Sequence, residues 1–250
     1  MRSSPADLVR PFLLLSSRPE DEAADEEYAS FLRFTGLPAE RLRRIRLEAG
    51  PLPPIDLDDH AGVILGGGPL NSSDAEDEKS PVQLRVEREI GGLLDEVVAR
   101  DLPFFGACYG IGTLGTHQGG VVDRTYGEPV SAVEVTLTPE GRVDPLLAGV
   151  PDRFEAFVGH KEACRVLPPG AVLLASSSTC PVQMFRVGTN VYATQFHPEL
   201  DVPGIVRRVR IYQHAGYFPP SEVEAVIARL TPAVVTHPPR VLANFVARYG

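Results

Sequence analysis

Residues 102–112 read LPFFGACYGIG, and this stretch determines how the rest of the chain is interpreted. Its first part, residues 102–105, is apolar and is typical of a parallel strand that is covered on both faces. Gly106 and Gly110 then flank Cys108, and the residues that follow permit a helix. The order of strand, glycine-flanked turn and helix indicates an α/β architecture with Cys108 at the carboxyl end of a strand.

The segments before this stretch alternate between strand and helix patterns. Apolar runs predict strands at residues 11–15, 45–47 and 61–65, and amphipathic patterns predict helices at residues 20–34 and 80–100. Alternation at this spacing implies βαβ units with right-handed crossovers. We therefore predict an α/β fold with a mostly parallel central sheet and helices on both faces.

The second half of the chain has a different pattern. Short strands separated by turns are predicted at residues 130–138, 156–158, 171–175, 183–187 and 191–195. The sequence Gly-Thr-Asn between the last two predicts a hairpin turn, so these strands should form a smaller antiparallel set.

From residue 203 onward the sequence favours helix again. Prolines at residues 219–220 and 238–239 divide this region into three helical segments. The chain contains no internal repeat and no linker that would divide it. We expect residues 1–250 to form a single domain, with residues 201–250 as a helical C-terminal extension of it.

The charge balance limits the classes of partner. The 250 residues contain 24 basic and 33 acidic side chains, a formal net charge of −9. This balance argues against the broad basic surface with which proteins displace counterions from nucleic acid. We expect small molecules or proteins, and no nucleic acid, as partners.

The distribution of apolar residues and cysteines predicts a location. Residues 102–122 carry no charge, but six glycines interrupt them, so we interpret them as a glycine-rich site and predict no membrane segment. The apolar run at residues 12–15 is too short for a signal peptide. Three cysteines without a Cys-x-x-Cys pair suit a reducing compartment, and we therefore expect a cytoplasmic protein.

Cys108 has the surroundings of a reactive thiol. The sequence Gly106-Ala-Cys-Tyr-Gly110 has the G-x-nucleophile-x-G arrangement of a nucleophile elbow, in which a sharp turn lifts the side chain above the sheet. Side chains at the two glycine positions would clash with neighbouring strands. A helix N-terminus next to the sulfur would favour the thiolate.

His197 and Glu199 supply what such a thiol needs. A thiolate that must also protonate a leaving group requires a histidine, and the histidine requires an acceptor that fixes its tautomer. In extended backbone, residues two apart project to the same side, and Pro198 restricts the backbone between them. We therefore expect the imidazole and the carboxylate to lie side by side.

The sequence GGGP at residues 66–69 follows the third predicted strand. Backbone N–H groups of consecutive glycines at the carboxyl end of a parallel strand can stabilise an oxyanion without any side chain. We expect the N–H groups of Gly68 and Tyr109 to form this oxyanion hole.

Each motif alone also has a simpler interpretation. Cys108 could be a buried thiol at a glycine-rich strand end, His197 could cap a loop beside a solvated Glu199, and residues 66–69 could be a phosphate loop. The last lacks the Gly-Lys-Ser/Thr ending of a P-loop. The joint presence of all three motifs favours the catalytic interpretation.

Taken together, the motifs resemble the class I, or triad-type, glutamine amidotransferases, most closely the stand-alone GMP-synthase-like glutaminase domains. Residues 65–69 resemble the family's oxyanion loop, residues 106–110 its cysteine elbow, and residues 195–199, QFHPE, its His-x-Glu segment. Residues 159–161 and 167–176 resemble its Ser-His-Gly segment and the stretch that follows. The resemblance spans residues 61–200 and implies the family's flavodoxin-like fold.

The resemblance also implies a substrate site lined by Gly67, Gly112, Gly159, His160 and Lys161. Two of these positions depart from the family's pattern. The family usually has Gln four residues after the nucleophile, where it helps to hold glutamine, whereas this chain has Gly112. Gly159 stands where the family has Ser or Asn.

By this resemblance, Cys108 attacks the side-chain amide of glutamine, His197 protonates the departing ammonia, and Glu199 orients His197. The sequence has no P-loop or other ATP site, so the acceptor of the ammonia would be a separate synthetase. Two alternatives remain open. The same triad could serve a γ-glutamyl hydrolase or peptidase, or the scaffold could be a catalytically silent binding protein.

We predict no cofactor and no bound metal. The remaining histidines lack metal-ligand spacing. They are His60, His117, His214 and His237. Cys164 and Cys180 are expected to be structural.

Overall fold

The computed structural model describes residues 10–250 and contains eleven strands. In chain order they are β1 (Phe12–Ser16), β2 (Leu42–Arg46), β3 (Gly62–Leu65), β4 (Phe104–Ala107), β5 (Val121–Asp123), β6 (Glu128–Leu137), β7 (Arg153–His160), β8 (Ala163–Val166), β9 (Val172–Ser177), β10 (Met184–Val187) and β11 (Val191–Thr194). The α-helices are α1 (Asp21–Thr35), α2 (Pro81–Ala99), α3 (Tyr109–His117), α4 (Pro139–Val143), α5 (Val202–Ile211), α6 (Val223–Leu230) and α7 (Pro239–Tyr249).

Nine of the strands form one sheet in the order β2-β1-β3-β4-β11-β10-β9-β6-β7. The pairings from β2 to β11 are parallel, and those from β11 to β7 are antiparallel. The predicted α/β fold is therefore confirmed. The antiparallel strands continue the parallel sheet because β11 belongs to both parts.

The two predicted N-terminal helices form where the local sequence favours them. The Ser80 hydroxyl accepts a hydrogen bond from the Gln83 N–H, and Pro81 occupies the first turn of α2. Helix α1 ends at Gly36, whose φ of 71° is the left-handed conformation that glycine adopts without strain. Apolar faces of these helices complete the core on opposite sides of the sheet.

The position of β11 organises the second half of the chain. The predicted hairpin turn at Gly188 joins β10 to β11. Strand β11 then lies parallel to β4, with Thr194 opposite Ala107. Because both strands point the same way, the segments that follow them leave the sheet at the same edge.

A small sheet of β5 and β8 was not predicted from the sequence. Strand β5 has three residues, and it lies at the end of the glycine-rich stretch that we interpreted as a site. Its pairing with β8, more than 40 residues further along the chain, has no local signal. The two strands pack against α3.

The three C-terminal helices begin close to the predicted positions, whereas α5 and α6 end several residues before the predicted breaks. Helix α7 covers one face of the sheet. The ring of Phe245 lies 5.8 Å from that of Phe12 and 5.6 Å from that of Phe105, measured between centroids. Within residues 10–250, no helix is long and apolar enough to cross a membrane. The single-domain organisation stays a prediction.

We expect Phe245→Ala to lower the free energy of unfolding by about 3–5 kcal/mol, because it removes a fully buried ring between two strands and leaves a cavity. Val234→Ala is the matched control, since Val234 is 67% exposed in the same C-terminal region. Its effect should stay within about 0.5 kcal/mol. Urea unfolding followed by circular dichroism measures both. Equal effects would contradict the packing of α7 described above.

Candidate active site

Cys108 lies in a sharp turn between β4 and α3. Its φ of 51° and ψ of −90° are a strained combination for a non-glycine residue. An ideal Cβ on Gly106 would lie 2.9 Å from the backbone of Gly110, so only glycine allows this close approach. The geometry is that of the predicted nucleophile elbow.

His197 and Glu199 are adjacent in the segment that follows β11. The imidazole Nδ1 lies 2.7 Å from Oε1 of Glu199. The carboxylate is fully buried, and His197 is 6% exposed. The His197 N–H donates to the Phe157 carbonyl at 2.9 Å, which fixes the backbone beside β7.

The structure brings Cys108 and His197 to one cavity wall. The Cys108 N–H donates to the Thr194 carbonyl at 2.8 Å, so the turn is attached to the end of β11. An ideal Cβ on Gly67 would lie 3.0 Å from Cε1 of His197 and 3.5 Å from Cβ of Cys108. Both side chains therefore pack against the same glycine, and both line the same cavity.

The buried charges stabilise the protonated imidazole. Burial by itself would lower the pKa of His197, but the Glu199 carboxylate and the Cys108 sulfur outweigh it and raise this pKa above its ordinary value. Burial would likewise raise the pKa of Glu199, but the imidazole, Arg208 and Arg18 together lower it. Both shifts favour the charged forms, an imidazolium beside an ionised carboxylate.

The predicted oxyanion loop lies beside the cysteine. An ideal Cβ on Gly68 would come within 2.0 Å of the Ser17 hydroxyl, so a side chain at this position would require Ser17 to move. Within residues 10–250, the Gly68 N–H has no backbone acceptor. Tyr109 opens α3, so its N–H has no acceptor within the helix.

Two cavities meet at Cys108, and both have Gly68, Cys108 and Tyr217 in their walls. The first, which we call the polar cavity, is otherwise lined by Leu70, Asn71, Tyr109, His160, Lys161, Glu162 and Gln195. The second, which we call the apolar cavity, has a volume of about 40 Å³ and includes His197 in its wall.

Gly112 leaves space that another side chain fills. An ideal Cβ at this position would lie 2.6 Å from Oε1 of Glu162. The Glu162 carboxylate is 7% exposed and accepts hydrogen bonds from the Ser72 N–H at 2.8 Å and the Ser73 N–H at 2.7 Å. Sequence reasoning missed Glu162, although it directly follows the predicted site residues His160 and Lys161.

The other predicted substrate residues have varied positions. Gly67 and Gly159 lie at the apolar cavity, the first beside His197 and the second in its wall. His160 lines the polar cavity, but its two ring nitrogens contact the Glu162 carbonyl and the Glu128 carboxylate. Lys161 donates to the Ala215 carbonyl at 2.9 Å. Their roles in substrate binding stay predictions.

Arg18 is a second site residue that the sequence did not reveal. It is 4% exposed, follows β1 and donates to Glu27 at 2.7 Å. Its Nη2 would lie 2.8 Å from an ideal Cβ on Gly67. Arg18 follows the first predicted strand, and this position places it at the same sheet edge as Cys108. The sequence therefore contained one indication that Arg18 belongs to the site.

Cys164 and Cys180 are buried away from this chemistry. Burial raises the pKa of Cys164 to about 11 and that of Cys180 to about 12, which keeps both as thiols. In the part of the chain that the structure describes, no three His, Cys, Asp or Glu side chains form a group that could hold a metal ion. The absence of a bound metal stays a prediction.

Comparison with a family model shows to which protein family the chain belongs. The model of the class-I glutamine amidotransferases matches residues 42–202, which is more than half of the chain. The chain belongs to the class-I glutamine amidotransferase family. As a member of this family, it carries the cysteine elbow and the His-x-Glu segment within the matched region, whereas α6 and α7 lie beyond it.

The chain is similar in sequence to curated members of this family over part of their length. The chain is 33% identical to a glutamine-hydrolyzing GMP synthase subunit from Methanoculleus marisnigri over 140 residues, 56% of this chain and 65% of the relative. It is 29% identical to the protein of the same name from Thermococcus kodakarensis over 170 residues, 68% and 80% of the two chains. The match therefore spans slightly less than two thirds of the first relative.

Solved structures share the whole fold of this amidotransferase-family chain. A glutamine amidotransferase from Thermotoga maritima has a TM-score of 0.72 at 19% identity, covering 96% of this chain and 98% of its own. One from Methylobacillus flagellatus has a TM-score of 0.71 at 19% identity, covering 96% of each chain. The similarity includes the C-terminal helices.

We expect the activity of the chain to fall as the pH rises through the raised pKa of His197, because the imidazolium, which is the predicted proton donor, is then lost. Glu199→Gln removes the charge that raises this pKa, so the alkaline limb of kcat/KM should move to lower pH. The maximal rate should also fall by roughly 10²–10⁴-fold. Glu140→Gln, an exposed carboxamide control, should reproduce the wild-type profile. An unmoved limb in Glu199→Gln would refute the assignment.

Proposed function

We propose that this chain hydrolyses the side-chain amide of glutamine through a γ-glutamyl thioester on Cys108, and supplies the ammonia to an acceptor enzyme on another chain. The observation that carries this proposal is the arrangement around His197. Its Nδ1 contacts a buried carboxylate, and the same ring shares a cavity wall with a strained, elbow-positioned cysteine.

The residues divide the reaction into two steps. The Cys108 sulfur first attacks the amide carbon, and the carbonyl oxygen becomes an oxyanion beside the N–H groups of Gly68 and Tyr109. The C–N bond then breaks as His197 gives its proton to the departing ammonia. Water then attacks the thioester, with His197 accepting its proton. Glutamate leaves, and the sulfur is regenerated.

The polar cavity suits the amino-acid end of glutamine. Glu162 is a buried carboxylate that two backbone N–H groups hold, and among the described residues it has no cationic partner within ion-pair distance. Buried charges require compensation. An α-ammonium group would provide it, so we assign Glu162 the role that the family's usual glutamine side chain has at the position of Gly112.

Oxygen atoms near Glu162 support this assignment. The hydroxyls of Ser72 and Ser73 and the side-chain oxygen of Gln195 are buried and have no hydrogen-bond partner. Gln195 is 2% exposed and lines the polar cavity. Unpartnered buried oxygens are rare in folded proteins, and a ligand with several N–H donors would satisfy them.

The names of similar proteins support an acceptor enzyme on another chain. Two of them are named as one subunit of a GMP synthase. A γ-glutamyl hydrolase would use the same thioester with a larger leaving amine. The aliphatic lining of the apolar cavity beside His197 favours this second candidate, because it offers ammonia few hydrogen-bond partners.

We expect Cys108→Ala to abolish ammonia release from glutamine and labelling by an electrophilic glutamine analogue. Wild-type protein should gain the mass of one label on Cys108, since only this cysteine is exposed to the cavities. Cys164→Ala is the control and should label like wild type. A wild-type protein that neither labels nor releases ammonia would support the catalytically silent binding protein instead.

We expect Glu162→Gln to raise the KM for glutamine by roughly 10–100-fold, the scale of a lost hydrogen bond between charged groups. The kcat should change little, because Glu162 does not contact the reacting atoms. Glutaramate, which is glutamine without its α-amino group, is the control substrate, and its kcat/KM should be the same in both proteins. An equal loss for both substrates would contradict recognition of the ammonium by Glu162.

A further inference from the structure

The apolar cavity is the largest feature of the site that glutamine hydrolysis leaves unexplained. Five aliphatic side chains line it, and the ring of Phe218 closes one side. The aliphatic residues are Val130, Val158, Leu200, Ile205 and Val209. A concave site with such an aliphatic lining has the character of a small-molecule pocket.

The position of His197 identifies which end of a substrate this cavity receives. Cys108 and Gly68 line both cavities, so the reacting carbonyl lies where the cavities meet. His197 lines the apolar cavity and is absent from the wall of the polar one. The proton donor must reach the nitrogen of the leaving amine. The apolar cavity is therefore on the leaving-group side.

Ammonia does not account for a cavity of this size. A cavity needs roughly 10–15 Å³ to hold one molecule of the size of water or ammonia. The apolar cavity has about 40 Å³ by the same measure. The aliphatic lining also offers ammonia few hydrogen-bond partners. An apolar group attached to the leaving nitrogen would fill the space and remove apolar surface from water.

The two arginines of the cavity wall are already compensated. Arg18 pairs with Glu27 at 2.7 Å, and Arg208 pairs with Glu26 at 2.8 Å. The four side chains are almost completely buried. A charged substituent would find no uncompensated charge of opposite sign there, so the lining favours an uncharged alkyl or aryl group.

Part of the wall is built by residues that the family match does not include. Ile205 and Val209 lie on α5, and Phe218 lies in the segment after it, whereas the match ends at residue 202. Tyr217 lines both cavities, and its ring packs under the Lys161 ammonium at 4.7 Å. This contact holds the segment over the site.

We propose that the apolar cavity binds the N-substituent of a γ-glutamyl amide, so that the chain hydrolyses γ-glutamyl derivatives of uncharged alkyl or aryl primary amines. This inference rests on the proposed thioester chemistry and extends its substrate class. The bond from Cys108 sulfur to the γ-carbon forms, the C–N bond breaks, and the His197 proton passes to the nitrogen, which releases the primary amine. Water then releases glutamate and restores the proton to His197.

The test compares leaving groups on the full chain. Amine and glutamate release are measured with glutamine, γ-glutamyl n-butylamide, γ-glutamyl benzylamide and γ-glutamylglycine. We expect kcat/KM for the butylamide or benzylamide to exceed that for glutamine by roughly 10–100-fold, because several buried carbon atoms each contribute to binding. Preference for glutamine, or for the charged dipeptide, would overturn the inference. No hydrolysis of any substrate would instead refute the thioester chemistry.

Two variants locate the effect in the cavity. Phe218→Ala and Val130→Ala each remove apolar wall, and each should lower the ratio of butylamide to glutamine kcat/KM by roughly 10-fold. Val234→Ala, exposed on the same C-terminal region, should leave both values unchanged. Circular dichroism confirms that each variant is folded. If neither folded variant lowers the ratio, the substituent does not bind in this cavity and the inference fails.

Discussion

The parallel pairing of β4 with β11 is the constraint on which the site depends. Cys108 follows one strand and His197 follows the other, 89 positions later in the sequence. The hydrogen bond from the Cys108 N–H to the Thr194 carbonyl fixes the two strand ends against each other at 2.8 Å. Because the register of this pair is set by strands buried on both faces, a slip by one residue would separate the sulfur from the imidazole.

A buried network of charges surrounds this strand pair. Glu199 has no exposed surface, and Arg208 approaches its Oε1 to 3.9 Å, while Arg18 contributes from the end of β1. Each arginine has its own carboxylate partner, Glu26 or Glu27, on α1. The network links the N-terminal helix and α5 to the imidazole. The orientation of that ring therefore depends on elements that are far apart in the sequence.

Local sequence was sufficient to predict the parallel half of the sheet and the triad candidates. Glycine spacing around Cys108 and the alternation in His197-Pro-Glu199 have local physical causes, which a single sequence displays. Glu162 gave no such signal, because its role depends on contacts with Ser72 and Gly112, far away in the chain. The same reason explains why the β5 and β8 pairing was missed. Properties that arise from long-range contacts are visible only once the chain is folded.

The insertion of β11 between β4 and β10 also affects how the molecule is made. Strand β4 leaves the ribosome about 80 residues before its neighbour on one side exists, since β11 begins at Val191. Until then the nascent chain exposes an unpaired edge next to the cysteine, and such edges are prone to pairing with other chains. The mature order of strands is therefore reached late in translation, and the thiol has no histidine beside it until that moment.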